Sequence, residues 1–453
     1  NGHCQPGENS LSCPADCRGP AYEYGASIVV GSYKEKYTAC SRDGECASGY
    51  ERVLTGQANI SDVEIEHFGA NNLWPGVRFK NLRDPSKPSF LRRVAMHRGY
   101  SQGVMIEASD SVTVEDSVIF RAMLPAVEIV PGRLSAASSR KAASRGNVLR
   151  GNLACAGIFW GTHRGSDIGP GQQRLKLLSM VGMFHDEGEG SLLHGNVAAG
   201  SERAGFSGSG VPCGDTESLR DNEVAASLNG YWWNHYTPRR ECSAVRSLKA
   251  WKIWSFGVYG EVVRHPLFIV EDVQVADATV GVLVHALGGS AAKHERVMVR
   301  VLVRNATVVG ASGNSVCSRK KPGLHTCKFY MAYCWMPRPL NRTGVLIGAA
   351  NEKPTKAPLI FPWLKAGTYA AHYGELGVEN VLFGGFSARP CPNSSNEALR
   401  QRSDVALSAM PPEGEAADGS MVAWVRGLRF EGVERAARVR LFPGDKKWLN
   451  PSD

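Results

Sequence analysis

Hydrophobic and polar residues alternate along this chain in short bursts. In "DVEIEHFG" (62–69), "GVRFKNL" (76–82), "GVMIEA" (103–108), "SVTVEDSVIF" (111–120) and "AVEIV" (126–130), an aliphatic or aromatic residue takes nearly every second place. Such alternation predicts strands with one face in a core. The texture returns at 146–160, 222–233, 266–288, 296–310, 421–433 and 437–442. A sustained helical period is almost absent.

Between the bursts a phrase recurs: a polar residue, then Asn or Asp, then Val, then a turn containing Gly. It occurs as Glu115-Asp116-Ser117-Val118, Gly195-Asn196-Val197, Asp221-Asn222-Glu223-Val224, Glu271-Asp272-Val273 and Glu379-Asn380-Val381. Asn196 and Asn222 lie 26 positions apart, Val94 and Val118 24 apart. A repeat of this length built from short strands matches one coil of a parallel β-helix. The expected fold is therefore all-β, a right-handed parallel β-helix, with backbone hydrogen bonds between coils and inward Val, Ile and Leu stacked into one core. In "NVAAGSERAGF" (196–206) the pattern places Val197 and Ala199 inward and Asn196 at a turn, satisfying buried backbone groups. Gly200 and Gly205 let the chain bend between faces. A pair of β-sandwiches competes, but few Asn-Gly or Asp-Gly hairpin signals separate the runs.

Some segments do not fit a coil. Residues 1–20 form a cysteine-rich module ahead of a β-helix over 21–316, and 317–343 is a basic, cysteine-bearing insertion. Further coils over 344–453 contain a Pro/Ser/Ala/Glu-rich stretch at 386–420, expected as a long mobile loop. "LSAASSRKAASRG" (134–146) reads as a shorter flexible loop.

Composition agrees with a core-bearing protein: 43% hydrophobic and 21% charged residues, with 50 glycines for many turns. No apolar run approaches the roughly 18 residues of a membrane span. No signal peptide stands at Asn1, so the chain reads as a mature or excised piece of a secretory product. The net charge of +9 suits an acidic glycan or an acidic protein partner, and no zinc finger or basic helix points to nucleic acid.

Cysteines in loops predict disulfides at Cys4, Cys13, Cys17, Cys40, Cys46, Cys213, Cys242, Cys317, Cys327, Cys334 and Cys391, while Cys155 reads as a buried core residue. Four glycosylation sequons start at Asn59, Asn305, Asn341 and Asn393. Together these features predict an extracellular location.

"VEIEHFGANN", "RRVAMHRGYSQGVMIEASDSVTVEDSVIF", "NVAAGSERAGFSGSGVPCG" and "NEVAASLNG" closely resemble the parallel β-helix region of the fibrocystin and fibrocystin-L family, over roughly residues 21 to 290. The same β-helix is shared more distantly with cell-surface hyaluronidases of the cell-migration-inducing type. The resemblance implies a segment of a large cell-surface or ciliary membrane protein. "YGASIVVGSY" (24–33) looks like the strand that follows the family's glycine-rich G8 domain, and "NGHCQPGENSLSCPADC" resembles a small disulfide-bonded motif often taken as calcium-binding. Glu8, Asn9 and Asp16 would there offer hard oxygens to Ca²⁺; the plainer reading is a disulfide knot whose polar residues shape turns.

The hyaluronidase branch carries histidines and an acidic pair along one face of the β-helix. By this resemblance its positions fall here on Arg78 and Lys80, on Glu107-Ala108-Ser109, and on "EIVPG" (128–132), where Val130 and Pro131 replace the acids. His97 remains, but the carry-over of activity fails without the other groups. His185-Asp186-Glu187-Gly188-Glu189 could supply carboxylates, although its glycines suit an exposed turn; the alternative catalytic set is thus His97, Asp186, Glu187 and Glu189. Trp232, Trp233 and Tyr236 could stack on a sugar ring with Arg239 and Arg240 nearby, against a plainer reading as core-edge aromatics. The expected function is a non-enzymatic extracellular scaffold, adhesion or receptor segment. The alternatives are a polysaccharide-active enzyme or acidic-glycan-binding module, and a subunit that stacks end to end.

Overall fold

A computed structural model describes residues 25–40, 46–70, 74–123, 125–133, 141–157, 182–233, 242–263, 265–287, 297–312, 342–350, 372–391, 393, 400, 403–410 and 421–441. They divide into two compact units, Asn1–Trp160 with Met183–Asn196, and Gly161–Gly182 with Val197–Asp453. The module at 1–20 and the insertion at 317–343, save its last two residues, lie outside the described residues; Thr343 already belongs to a strand.

The first unit is built from coils that each give one strand to each of three parallel sheets. The first sheet orders Ile28–Cys40, Val77–Lys80, Val104–Glu107, Val127–Val130 and Gly182–Asp186. The second orders Asn59–Ser61, Ser89–Arg92, Val112–Glu115, Val148–Arg150 and Leu192–His194. In the third, Glu64–Glu66, Ala95–His97, Val118–Phe120 and Leu153–Cys155 lie side by side. This is the all-β parallel β-helix that the repeat predicts. Val77, Phe79, Val104, Ile106, Val127 and Ile129 are buried while the residues between them are partly exposed, as period-2 alternation requires. An antiparallel hairpin of Ser32–Cys40 with Cys46–Thr55 continues the first strand and sets Cys40 opposite Cys46.

The second unit repeats the plan. One of its sheets runs through Asn229–Trp233, Phe256–Val263, Val280–Leu287, Thr343–Ala350 and Val405–Met410. The strand Val405–Met410 falls inside the stretch expected as a mobile loop at 386–420; its alternating apolar residues pair with Thr343–Gly348, and Phe386 and Cys391 are buried beside it. In the stretch at 134–146 the described residues 141–146 are corrected likewise, since Ser144 is fully buried and Lys141–Ala142 pairs with Gly132–Arg133; 134–140 lie outside the described residues. A disulfide joins Cys213 to Cys242, and Cys391 is also disulfide-bonded. The other cysteines predicted to pair are outside the described residues, save Cys40 and Cys46.

Corners between strands use left-handed backbone. In the second unit the corner residues Asp221, Ser247, Asp272, Asn305 and Asn380 all have φ near +50° and stack coil on coil. Asp and Asn tolerate that conformation better than other non-glycine residues, which explains the Asp or Asn of Glu271-Asp272 and Glu379-Asn380.

The parity expected for "NVAAGSERAGF" is reversed. Gly195 takes the left-handed corner, Asn196 turns in, and Ala198 is therefore the inward strand residue, with Val197 and Ala199 partly exposed. Gly205 is required by packing: a Cβ there would lie 2.5 Å from the Val224 methyls. Asn196 itself sits in a buried ladder. Its Oδ1 accepts from Asn152 Nδ2 at 2.9 Å and from Asn152 N at 3.2 Å, and its Nδ2 donates to Leu149 O at 2.9 Å. Asn152 continues the ladder by accepting from Ser117 N at 3.1 Å and donating to Val114 O at 2.8 Å.

Two predictions follow from this packing. Asn196→Ala leaves several buried partners unsatisfied and should cost at least about 1–3 kcal/mol, the usual penalty for one such group, in denaturant unfolding. A cost within about 0.5 kcal/mol, typical of surface substitutions, would remove the ladder from the fold's essentials. His265, 1% exposed and packed against Trp233, has its pKa pushed below 6.5 by burial, opposed in part by the Leu267 backbone. The unfolded chain therefore takes up a proton near pH 6.5 that the folded chain refuses, and stability falls as pH drops from there to the folded midpoint. Urea midpoints measured between about pH 7.5 and 5 should vary less in His265→Phe than in the unaltered chain.

Candidate functional site

The first sheet of the first unit carries polar side chains on its outward positions. Arg78, Met105, Glu128 and His185 stand in one cross-coil register, and Lys80, Glu107 and Val130 in the next. The positions that the hyaluronidase resemblance singled out thus converge on one face, although 29 residues separate Arg78 from Glu107 in sequence. Lys80 and Glu107 are opposite one another, but the carboxylate of Glu107 is taken by Arg78, whose Nε donates at 3.0 Å and whose Nη2 closes a second, shorter bond.

Glu128 and His185 form the chemically distinctive part. Gln102 Nε2 donates to Glu128 Oε2 at 3.3 Å, and His185 Nε2 lies 3.5 Å from Glu187 Oε1. Burial raises the Glu128 pKa, with His185 and Gln102 pulling against it and the charges of Glu187 and Glu107 adding to it. Burial alone would lower the His185 pKa; the hydrogen bond it donates to Glu187 and the charges of Glu128, Glu187 and Asp186 outweigh it and raise the imidazole overall. The charge of each group bears on the protonation of the other.

The other candidates are dispersed. His97 belongs to the third sheet, where its Nε2 lies 2.6 Å from Glu64 Oε1. Asp186 shapes the turn after its strand, accepting from Gly188 N at 2.8 Å and Ser191 Oγ at 3.0 Å. Glu189 takes a bond from Arg145 Nε at 3.1 Å. Of the alternative catalytic set, Glu187 and the charge of Asp186 act on His185, and the partner that sequence reading missed is Glu128. The available signal was register: Glu128 and His185 occupy the same step of successive strands of that sheet. Among the described residues, no three His, Cys, Asp or Glu side chains are gathered as a metal ion would need. Glu8, Asn9 and Asp16 lie outside the described residues.

The aromatic ligand site is corrected. Trp232 is 2% exposed and stacks on Tyr259 with ring centroids 4.0 Å apart, in a cluster with Phe256, Val280 and Leu283. Trp233 is equally enclosed, packs on Phe268, and donates Nε1 to Ser209 O at 2.9 Å. Every residue of Asn229–Trp233 is buried, so neither indole offers a ring to a sugar. Tyr236, Arg239 and Arg240 lie outside the described residues. Cys155 is also corrected: it is a free, half-exposed thiol, because Ala154 is the inward residue of Leu153–Cys155. Asn59, Asn305 and Asn393 are exposed, while Asn341 is outside the described residues.

The coupling of Glu128 to His185 has a direct consequence. In Glu128→Gln the imidazole loses a neighbouring negative charge, so its NMR titration midpoint should move down. An unchanged midpoint would mean the two side chains do not share the site.

No family model matches the chain. Human fibrocystin-L is 24% identical over a match covering 65% of this chain and 6% of the relative. Mouse fibrocystin is 23% identical, covering 82% of this chain and 8% of the relative, and dog fibrocystin is 23% identical over 80% and 8%. The match spans less than a tenth of the length of these relatives. Among solved structures, the catalytic domain of a GH87 alpha-1,3-glucanase in complex with nigerose aligns at a TM-score of 0.36 and 9% identity, covering 86% of this chain and 63% of that one. The sequence homology is thus to fibrocystin and fibrocystin-L, which supports the family resemblance read from the sequence.

Proposed function

We propose that this chain is a non-enzymatic scaffold, an adhesion or receptor segment of a fibrocystin-family protein at a cell surface, the ciliary surface included. The observation that carries the reading is the commitment of outward charges to neighbouring coils. Arg78 pairs with Glu107, Arg83 with Asp110 at 2.9 Å, Arg93 with Asp62 at 2.6 Å, Arg98 with Glu66 at 2.6 Å and Arg145 with Glu189 at 3.1 Å. A glycosidase needs a proton donor and a second carboxylate free to face one bond. Here Glu107, Glu189 and His97 are spent on stacking the coils. An extracellular setting is supported by the Cys213–Cys242 disulfide and by the exposure of the sequon residues Asn59, Asn305 and Asn393.

A polysaccharide-active enzyme is the second reading, favoured by one observation: Glu128 has a raised pKa beside His185 and Glu187, the kind of perturbation that acid–base sites show. One measurement separates the two. The chain is incubated with hyaluronan and other acidic polysaccharides, with and without calcium, and polymer length is followed. Unchanged length across the panel is expected. Shortening that disappears in Glu128→Gln would replace the scaffold reading with the enzymatic one.

A further inference from the structure

Large exposed aromatics of the second unit gather at one corner of a coil. In Leu248–Trp251, Leu248 and Ala250 point in while Lys249 and Trp251 point out. Lys252 then takes φ +54°, Ile253 returns to the core, and Trp254 is out again. Trp251 is 39% and Trp254 46% exposed.

Coil stacking does not call for either indole. The residues in register with Trp251 on the adjoining coils are Ala225 and Ala276, so a methyl group suffices at that step. The backbone beneath is fixed regardless: Trp254 N donates to Ser227 O at 3.0 Å, and Thr279 Oγ1 donates to Trp254 O at 2.6 Å. The Trp251 ring is itself held in place, because its Nε1 donates to Glu223 Oε1 at 2.7 Å. Lys252 Nζ sits 5.1 Å from the ring centroid, bringing a positive charge to the aromatic face. Lys249 is exposed one step away, with Glu223 and Gln274 beside it in register.

We propose that this corner binds a carboxylated glycan, with pyranose rings stacking on Trp251 and Trp254 and carboxylates meeting Lys249 and Lys252. A sugar presents an apolar ring face to an indole and polar groups at its rim, which matches aromatic faces edged by Lys249, Lys252, Gln274 and Thr279. A ring already oriented by Glu223 loses little freedom on binding. An extended peptide fits less well, because these strands are bonded on both sides and offer no edge to pair with. The inference stands on the tryptophans and is independent of whether the Glu128–His185 face is catalytic.

The test uses the whole chain with hyaluronan oligosaccharides as the carboxylated probe, sulfated heparin oligosaccharides, and neutral dextran, titrated at about 0.15 M salt to screen diffuse charge. Saturable binding of the hyaluronan oligosaccharides is expected, weakened about tenfold or more in Trp251→Ala, in Trp254→Ala and in the double Lys249→Gln, Lys252→Gln variant. Trp251→Phe, which keeps a ring, should retain most of the binding and guards against loss through misfolding. No binding of hyaluronan oligosaccharides overturns the proposal. So does binding, of hyaluronan or heparin oligosaccharides alike, that Trp251→Ala leaves intact, since that assigns it to the general positive charge. Dextran bound as tightly as hyaluronan would overturn the carboxylate part. Shortened hyaluronan with these binding effects intact would sink the scaffold reading and leave this surface standing.

Discussion

Everything in a parallel β-helix depends on satisfying backbone groups at the corners, where the chain leaves one sheet and enters the next. Within the strands, neighbouring coils supply the partners. At the corners the groups point inward, away from water, and an unpaired one costs as much as a lost core contact. In the first unit Ser117, Asn152 and Asn196 solve this by stacking, each side chain serving the backbone of an adjoining coil. Ser109, Ser144 and Asn147 do the same at another corner, with Ser109 N donating to Ser144 Oγ at 3.2 Å and Asn147 Nδ2 to Ser109 O at 3.0 Å. The ladder fixes where every strand begins, and with it which side chains face in.

The outer faces show the same register in charge. Arg246, Glu271, Arg304, Glu379 and Arg426 occupy one column of successive strands, with Glu271 bridged to Arg246 at 3.2 Å and to Arg304 at 2.9 Å. Arg92, Glu115, Arg150 and His194 make a corresponding column in the first unit. The exposed pairs contribute about 0–1 kcal/mol each, too little to hold the fold together, while the buried Arg246–Glu271 pair also carries a desolvation cost. Their effect is on register, since like charges in adjacent steps would repel and alternating ones attract. The glutamate of the recurring Glu-Asp and Glu-Asn phrase is this column, and the Asp or Asn is the left-handed corner that follows it.

That phrase is why the coil was legible in sequence: one short motif encodes a charge step, a corner and the start of a strand. What sequence could not give was parity where side chains are small. In "NVAAG" hydrophobicity favours Val197 as the inward residue, yet the buried Asn196 shifts the strand by one and puts Ala198 inside. The same one-residue ambiguity misplaced Cys155. For Trp232 and Trp233 the difficulty was different. Alternation predicts that one of two adjacent tryptophans faces out, but both sides of Asn229–Trp233 are covered, which no local pattern records. The Glu128–His185 pair is a matter of coil length, because two side chains 57 positions apart in sequence stand at the same step of neighbouring strands.

A β-helix with this much repetition offers a way to separate structural residues from the rest. Inward positions are constrained by packing, corners by hydrogen bonding, and outward charges by their neighbours one coil away. Carboxylates on the outer faces are therefore weak pointers to chemistry, since the column accounts for most of them. The informative positions are those where the column demands nothing and the chain nevertheless carries something large or costly. Glu128, an acid kept half-buried beside a histidine, is one such position. Trp251, an indole standing between two alanines, is the other, and its hydrogen bond to Glu223 on the adjoining coil holds that ring in place.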